Sequence, residues 1–554
     1  MTSIATVPST GIGHARRFLG AGHRPAVRLG RALGAAVIVA GVVLRFYAPS
    51  ALWLDETISV NISRLSLTGI PRALAHDGSP PLYYYLLHFW MLVFGYGDFA
   101  VRAMSGLASV ASLPLFWFAG LRVGGRRTAW AVVLLAASSP FAIYYATETR
   151  MYSLMMLLAV AGFLALARVL EAPTRRRSVA LGAVTAALLY THYWGIYLVG
   201  TTALWLIWRI WRSSHPSHRS LRPDTQTEES IRAVRAAFGA LVIGAVCWLP
   251  AAPLFVWQSL HTGTPWTGAA GPADVLSLFT QFAGSGPWAV LLAWWLFALV
   301  GLGIFGLPGH RLDETGAVLP PPGAASDRWR LVIDLRGRAE ARPVAAVLGG
   351  TLVAAVAGGA LAGAAFQARY TAVLLPLFLL LAALGLTCFA DRRVTAGLLG
   401  VACLAGVLTG LGNNAGARTQ AVQVAAVLDL QAQAGDEVVY CPDQLGPAVD
   451  RLLTVRGVSQ FTFPRGIGPQ LVDWVDYRQV IDHTDVGTFA QETLSRLSAG
   501  HTLWLVYRNG YPGFGGDCGY LYSWLNLLRP SGETVVRASA GAYFENENLV
   551  RFPS

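Results

Sequence analysis

The chain has 554 residues, of which 54% are hydrophobic and 13% are charged. Because a soluble domain has about 25% charged residues, this composition excludes a purely soluble enzyme and an intrinsically disordered chain. The 5 cysteines are too few for a disulfide-stapled scaffold, and their spacing indicates no zinc site. All 42 basic residues are arginine, and the formal net charge is +12.

Apolar segments long enough to cross a bilayer recur through most of the chain. We predict about eleven, at roughly 31–48, 99–120, 128–145, 151–170, 178–191, 194–211, 236–257, 286–307, 343–364, 370–389 and 395–411. If the N-terminus is cytoplasmic, the tail up to Arg31 and the inner loops hold 25 arginines and the outer loops hold four. Arg45, Arg102 and Arg168 lie at the edges of spans and are left out of both counts. This asymmetry predicts a multi-pass protein of the plasma membrane with the N-terminus inside.

An odd number of spans places residues 412–554 outside the cytoplasm. This region has 10 arginines and 14 acidic residues. The positive charge of the chain therefore lies in the inner loops, where it suits anionic lipid headgroups rather than nucleic acid.

The long outer loop 49–98 has apolar residues at helical spacing, which predicts one or two helices along the membrane surface. Pro80 and Pro81 interrupt it, and the apolar run after them is short for a span. We predict a further surface helix near 272–283.

Residues 412–554 alternate between helix and strand patterns, which predicts a small α/β domain. The predicted strands are DEVVYC, HTLWLVY, ETVVRA and NENLVRF. The predicted helices are QAVQVAAVLDLQAQ, QLGPAVDRLL, FAQETLSRLSA and YLYSWLNLL. No glycine-rich phosphate motif opens a helix, so we expect no nucleotide site. Cys441 and Cys518 both fall here, and the sequence leaves open a disulfide or two buried thiols.

Carboxylates on the outer side of the membrane half are candidate functional groups, because charge at membrane depth is costly. They are Asp55, Glu56, Asp77, Asp98, Glu148 and Asp274. Asp55 and Glu56 are adjacent in an apolar setting, which suits a general base for a hydroxyl group. The alternative is that both sit in a solvated loop and cap the next helix.

Three further motifs fall at outer turns of the predicted topology. They are Glu148 and Arg150 in YYATETRMYSL, His192 and Tyr193 in THYWG, and Arg369 and Tyr370 in FQARYTAVLLP. A local ion pair, an interfacial aromatic anchor and a snorkelling arginine are the plainer interpretations. The functional one makes Arg369 a fork-shaped ligand of phosphate oxygens. A phosphate ligand beside a base, at headgroup depth, suits a lipid-phosphate donor and a hydroxyl acceptor.

The acid pair followed by HDGSPPLYYYLLHFW, ETRMYSL, THYWG and QARYTAVLLP, in this order, resembles the GT-C glycosyltransferases. Within them it is similar to the protein O-mannosyltransferase and aminoarabinose-transferase-like branch, over roughly residues 30–390. The resemblance implies a multi-spanning α-helical membrane protein of GT-C type, with a catalytic membrane domain at 31–411. The region 412–554 would be an extracytoplasmic α/β domain whose role the resemblance does not name.

The activity implied is inverting transfer of a single sugar from a polyprenyl-phosphate carrier to an extracytoplasmic glycan, lipid or protein acceptor in the cell envelope. Mannose is the first candidate sugar, and arabinose or aminoarabinose is the alternative. In this resemblance Asp55 is the general base, Glu56 positions the acceptor or the base, and Arg369 with Tyr370 binds the donor phosphate. The remaining cavity-lining residues would be Asp77, Glu148, Arg150, His192 and Tyr193.

No cofactor or metal is required by this scheme, although Asp55, Glu56 and Glu148 could supply oxygen ligands to a divalent metal if they meet. Rival functions are a polymerase or ligase that moves a whole glycan, a lipid-linked glycan transporter, and glycan binding by 412–554 alone. A transporter predicts broken helices at the midplane and an internal repeat, and the sequence shows neither. The arginine-only, alanine-rich composition favours an actinobacterial source.

Overall fold

The structure is a computed structural model. The residues described are 23–214, 225–263, 280–307, 333–362 and 367–554. Most of the predicted tail 1–30, most of the predicted surface helix 272–283, and Asp274 lie outside the described residues.

Helices make up the membrane half of the chain. In chain order they are α1 (His23–Leu44), α2 (Leu54–Ser63), α3 (Gly69–Asp77), α4 (Leu82–Phe94), α5 (Asp98–Ala137), α6 (Pro140–Ala146), α7 (Tyr152–Glu171), α8 (Arg175–Thr191), α9 (Trp194–Ser214), α10 (Thr225–Trp248), α11 (Ala252–His261), α12 (Pro287–Phe305), α13 (Ala341–Ala362), α14 (Leu375–Gly385) and α15 (Arg392–Ala415). Each predicted apolar segment largely coincides with one helix or with two short consecutive helices.

Within the described part of the chain, 6 helical stretches are long and apolar enough to cross a membrane. They are Asp98–Ala137, Tyr152–Glu171, Glu228–His261, Pro287–Phe305, Ala341–Leu361 and Arg392–Ala415. The protein is therefore a membrane protein with several apolar helices. The number of eleven spans and their sidedness stay predictions.

Helix α5 is two helices joined at a break. Gly124 has φ −151° and Gly125 has φ 75°, so the backbone leaves the helical conformation between them. Glycine adopts a positive φ at little cost. The break lies between the predicted segments 99–120 and 128–145.

The loop 49–98 folds as predicted into two short helices, α2 and α3, and continues into α4. We refer to α2 and α3 as the surface helices, and their position along the membrane stays a prediction. Helix α4 has 13 residues, too few to cross a bilayer. It buries Tyr83, Tyr84 and Leu87 against its neighbours. These three helices form the platform on which the candidate site is built.

The C-terminal region is a mixed α/β domain. Its strands are β1 (Ala417–Thr419), β2 (Glu437–Cys441), β3 (Ser459–Thr462), β4 (Leu503–Tyr507), β5 (Glu533–Val536), β6 (Tyr543–Glu545) and β7 (Asn548–Phe552). Its helices are α16 (Ala421–Gln431), α17 (Gly446–Leu452), α18 (Tyr477–His483), α19 (Val486–Arg496) and α20 (Asp517–Leu528). All eight predicted elements are present, while β1, β3, β6 and α18 were not predicted.

Five strands form one sheet in the order β3-β2-β4-β7-β5, and β1 pairs with β6 in a separate parallel pair. Strand β2 is parallel to β3 and to β4, whereas β7 is antiparallel to β4 and to β5. The central strands are buried on both faces, as their apolar sequences require.

Cys441 at the end of β2 and Cys518 in α20 form a disulfide, which answers the question that the sequence left open.

The α/β domain packs on the surface helices. Arg451 of α17 pairs with Asp98 at 2.8 Å, and His76 of α3 pairs with Asp473 at 2.8 Å. Asn61 of α2 donates a hydrogen bond to the Gln470 carbonyl at 2.8 Å.

Since α15 ends at Ala415, the domain begins a few residues after the predicted boundary at 412.

Candidate active site

Asp55, the predicted base, and Arg369, the predicted phosphate-binding residue, are in direct contact. Asp55 lies in the first turn of α2, and Arg369 lies in a 3-10 helix, Ala368–Val373, that leads into α14. Arg369 Nη1 donates to Asp55 Oδ2 at 2.7 Å. Their side chains are 17% exposed for Asp55 and 19% exposed for Arg369. The pair is therefore reachable by a ligand.

Glu56 is next to Asp55 in sequence and has the opposite environment. Its carboxylate is fully buried and accepts two hydrogen bonds from Arg102, at 2.8 Å and 2.6 Å. Arg418 lies 3.5 Å away, and the Thr149 N–H donates at 3.0 Å. Burial opposes ionisation, but the two arginines outweigh it, so the pKa of Glu56 lies below its usual value. Glu56 thus anchors α2 to α5 and to the α/β domain.

Arg150 holds the backbone of α2 beside Asp55. Its Nη1 donates to Ser59 Oγ at 3.1 Å, and lies 3.5 Å from both the Asp55 carbonyl and the Tyr84 hydroxyl. These contacts, rather than a local pair with Glu148, satisfy this guanidinium nitrogen. Arg150 therefore positions the predicted base.

Glu148 lies in the turn between α6 and α7 and is buried. Burial raises the pKa of its carboxyl to about 7, against the opposing charge of Arg418. Glu56, Asp55 and Arg369 also lie close enough to affect this pKa. The predicted second acid thus joins the same electrostatic cluster.

Asp77 ends α3 and accepts a hydrogen bond from the Tyr84 hydroxyl at 3.0 Å. Burial raises its pKa, although Arg150 opposes this. Tyr193 donates its hydroxyl proton to Gln258, whose amide donates to the Leu74 carbonyl at 2.6 Å. Asp77 therefore joins the end of α3 to α4, and Tyr193 holds α3 through Gln258 at the margin of the site.

His192 and Tyr370 form an aromatic wall behind Arg369. Their ring centroids are 5.0 Å apart, and Tyr152 lies 6.1 Å from His192. Arg369 also lies over the Tyr370 ring, at 5.8 Å from its centroid. Burial lowers the pKa of His192 to about 3, and Arg150 and Arg369 add to this effect. His192 is therefore a neutral wall residue near neutral pH.

Several residues of the site were not predicted from the sequence. They are Arg102, Arg418, Tyr84, Tyr152, Gln258 and Glu545. Arg102 carried a usable signal, because a buried arginine at the start of an apolar helix needs an acidic partner. Glu545 carried none: its Oε1 accepts a hydrogen bond at 3.3 Å from the Leu54 N–H, which lies 491 positions away in the chain.

A metal site does not assemble from the described residues: they contain no group of three or more His, Cys, Asp or Glu side chains placed to hold an ion. Asp55 and Glu56 instead face different arginines. Metal independence stays a prediction.

The arrangement combines an accessible carboxylate, an accessible guanidinium and a buried polar frame that fixes both. A carboxylate can remove a proton from a hydroxyl group, and a guanidinium can bind a phosphate through two parallel hydrogen bonds. The two groups are close enough to act on one reacting centre.

Comparison with known proteins gives a family match in the region of these motifs. The family model described as dolichyl-phosphate-mannose-protein mannosyltransferase matches residues 78–221. This range begins one residue after Asp77. It contains the predicted site residues Glu148, Arg150, His192 and Tyr193. A search of curated protein sequences finds no match.

Solved structures match over almost the whole chain. The crystal structure of ArnT from Cupriavidus metallidurans in the apo state has a TM-score of 0.55 and 13% sequence identity, with 95% of this chain and 98% of that chain covered. The same protein bound to undecaprenyl phosphate has a TM-score of 0.51 and 14% identity, with the same coverage of 95% and 98%. At this identity the likeness establishes the fold.

These matches confirm the resemblance that the ordered motifs indicated. The chain is a membrane protein with the GT-C fold, and over residues 78–221 it is similar to the dolichyl-phosphate-mannose-protein mannosyltransferases.

Proposed function

We propose that the chain is an inverting glycosyltransferase that moves one sugar, mannose in the first instance, from polyprenyl phosphate to an acceptor hydroxyl on the extracytoplasmic side. The observation that supports this proposal is the partly exposed pair of Asp55 and Arg369, joined at 2.7 Å. In this proposal Asp55 is the proton acceptor and Arg369 is the phosphate-binding residue of one reaction centre.

The reaction needs little more than these two groups and good alignment. Asp55 takes the proton of the acceptor hydroxyl, and the acceptor oxygen forms a bond to the anomeric carbon of the sugar. The bond from that carbon to the phosphate oxygen breaks, and its electron pair stays on polyprenyl phosphate. Arg369 stabilises the negative charge of the departing phosphate, as a preorganised donor. Attack opposite the leaving group inverts the anomeric centre.

The membrane half offers space for an isoprenoid chain. A cavity of about 200 Å³ lies between α7, α8, α9, α13 and α14. Its lining is almost wholly apolar and includes Phe163, Leu188, Leu198 and Leu377. Leu377 belongs to α14, the helix that follows the 3-10 helix carrying Arg369. Such a lining suits a hydrocarbon chain.

The choice of mannose rests on the family model that matches residues 78–221, whose description names dolichyl-phosphate-mannose. Arabinose or aminoarabinose on the same carrier is the second candidate, because the ordered motifs also resemble the aminoarabinose-transferase-like branch. Both sugars leave the roles of Asp55 and Arg369 unchanged.

The proposal is tested by transfer of radiolabel from polyprenyl-phosphate mannose to a membrane fraction by the purified full-length protein. We expect transfer by the wild type and by Asp482→Asn, a control at an exposed pair with Arg478. We expect none by Asp55→Asn. Transfer from an arabinose donor alone would change the sugar, and no transfer from either donor would contradict the proposed activity.

A further inference from the structure

The carboxyl ends of three parallel strands meet at one edge of the α/β domain. Strand β2 lies between β3 and β4 and is parallel to both. The chain leaves β2 towards β3 on one side and later enters β4 on the other side. In open α/β sheets such a switch point creates a crevice beyond the carboxyl ends, where ligands bind.

This edge is turned towards Asp55. The segment after β3 contacts α2 and α3, through the Asn61 hydrogen bond to Gln470 and through the pair of His76 with Asp473. Trp53 also packs edge-on against Phe544, with ring centroids 5.3 Å apart. Asp55 is the second residue after Trp53, so the crevice and the proposed base are neighbours.

Three buried oxygens near this edge have no hydrogen-bond partner among the described residues. Asp443 Oδ2 and Gln444 Oε1 lie just after β2, whereas Glu545 Oε2 lies at the end of β6, in the separate pair that β6 forms with β1. Their residues are 1%, 2% and 4% exposed. Buried polar atoms are normally paired, and an unpaired group in a native structure calls for a ligand or another explanation.

The partners that these residues do have leave those oxygens in place for a ligand. Tyr477 donates its hydroxyl proton to the other oxygen of Asp443, and the Gln444 amide nitrogen donates to Tyr477 at 3.0 Å. The Leu54 N–H holds the other oxygen of Glu545. Each side chain is thus fixed through one polar atom, while the other carboxylate oxygen of Asp443 and Glu545 and the amide oxygen of Gln444 accept no hydrogen bond from the described residues.

Tyr511 and Arg508, which follow β4, connect the edge to the proposed base. Arg508 lies over the Tyr511 ring, 5.5 Å from its centroid. Burial raises the pKa of the Tyr511 hydroxyl, and Glu545, Asp55 and Asp443 lie close enough to affect it. One small molecule placed against Tyr511 therefore lies within the electrostatic range of all three carboxyls.

We propose that this edge is the acceptor subsite of the enzyme and that it binds the terminal sugar of a glycan, so that one sugar hydroxyl faces Asp55. This inference rests on the proposed function. Tyr511 supplies an aromatic face for the sugar ring, and the oxygens of Asp443, Gln444 and Glu545 accept hydrogen bonds from its hydroxyls.

The chemistry of the edge favours a glycan over a peptide. Its free groups are mainly hydrogen-bond acceptors, so the ligand must supply several donors within a small volume. A sugar carries several hydroxyl groups on one ring, whereas a serine or threonine side chain carries one. The two acidic side chains also disfavour an anionic acceptor.

The inference is tested by direct binding to the purified full-length protein, followed by ligand-observed NMR. The probes are mannobiose, galactobiose, arabinobiose and the peptide N-acetyl-Ala-Thr-Ala-amide. We expect at least one disaccharide to bind the wild type and Asp55→Asn. We expect Asp443→Asn and Glu545→Gln, which change the acceptor groups, each to weaken its Kd at least ten-fold. We expect the same of Arg508→Gln, because the Arg508 guanidinium lies over the Tyr511 ring and so positions it, while Asp482→Asn leaves the Kd unchanged.

Arg508→Gln keeps the test independent of folding, because the Arg508 side chain is partly exposed and makes no hydrogen bond or ion pair with the described residues. Its unfolding temperature should equal that of the wild type. Disaccharide binding that none of the three substitutions weakens would overturn the proposed site. Binding of the peptide alone, or of none of the probes, would overturn the glycan as its ligand.

The same preparations separate this inference from the proposed function. Disaccharide binding that depends on the edge residues, without sugar transfer from any polyprenyl-phosphate donor, would contradict the glycosyltransferase and leave the binding site in place. Transfer that depends on Asp55, without disaccharide binding by the wild type, would contradict the acceptor subsite and leave the activity in place.

Discussion

Arg369 donates a 2.7 Å hydrogen bond to Asp55, although 314 residues separate them in the chain. Arg369, the residue predicted to bind phosphate, is thus paired with Asp55, the predicted base. A donor phosphate that binds Arg369 must compete with the Asp55 carboxylate. Binding of the donor would then release Asp55 for the acceptor hydroxyl.

Asp55→Asn should abolish transfer without weakening the donor complex. Loss of a general base lowers the rate by about 10²–10⁴-fold. Since the carboxylate no longer competes for Arg369, the affinity for polyprenyl phosphate should stay the same or increase. Equilibrium binding of fluorescent polyprenyl phosphate measures this. A weaker donor complex in Asp55→Asn would contradict the competition.

Arg369→Ala should weaken donor binding, because it removes the proposed phosphate ligand. A hydrogen bond to a charged group contributes about 1.5–3 kcal/mol, which corresponds to roughly 10–200-fold in Kd. Arg369→Lys should lie between the two, since it keeps the charge and loses the fork. The binding assay above checks this order, and equal Kd values for all three proteins would exclude Arg369 as the ligand.

Glu56→Gln should destabilise the fold rather than act on chemistry alone. It leaves Arg102 and Arg418 buried with less opposing charge, and breaking a buried ion pair costs about 3–5 kcal/mol. Asp98→Asn is the matched control, because the half-exposed pair with Arg451 contributes about 0–1 kcal/mol. Unfolding of both variants is followed by tryptophan fluorescence. An unchanged unfolding midpoint in Glu56→Gln would refute the anchor.

Acid should weaken the same anchor. The pKa of Glu56 is lowered in the folded state, so its stabilisation is present above its usual value of 4.5 and is lost as the pH falls below it. The wild type should lose more stability than Glu56→Gln between pH 5 and roughly pH 3. Parallel acid titrations would show this difference.

Glu148 should produce a pH dependence of the opposite sign. Burial raises its pKa from 4.5 to about 7, so the folded state binds the proton more tightly than the unfolded state. Its contribution to stability is fully present below pH 4.5 and is lost as the pH rises to about 7. Glu148→Gln, which mimics the protonated form, should be more stable than the wild type at pH 8 by up to about 3 kcal/mol. Equal stabilities at pH 8 would contradict the raised pKa.

The disulfide of Cys441 and Cys518 should stabilise the α/β domain. It closes a loop with a sequence separation of 77, and the chain-entropy model gives about 4 kcal/mol for a loop of this size. Non-reducing digestion and mass spectrometry should recover the linked peptide. Cys518→Ser should unfold at a lower denaturant concentration, and two freely alkylatable thiols in the wild type would exclude the bond.

Most of the fold prediction rested on the length of the apolar segments and on the periodicity of hydrophobic residues. The apolar segments and the helices of the α/β domain each bury a face that local sequence patterns define. The strands β1, β3 and β6 escaped prediction because they are three or four residues long and contain polar residues. Their pairing depends on neighbours distant in sequence.

The sequence predicted several residues of the site but not the contacts between them. From the ordered motifs we predicted that Asp55, Glu148, Arg150, His192 and Arg369 belong to one site. The sequence could not show that Glu56 belongs to Arg102 and Arg418, because partner choice among buried charges follows from tertiary packing. For the same reason Glu545 was beyond prediction.

The contact of Glu545 with the Leu54 N–H bears on how the protein is made. Leu54 precedes Asp55, so a residue translated after every apolar helix helps to hold the start of the helix that carries the proposed base. Strand β7, which lies between β4 and β5, is translated later still. A nascent chain that has inserted all its membrane helices still lacks this support. Membrane insertion of the helices and completion of the proposed site are therefore separate events, and the second requires the last strands of the α/β domain.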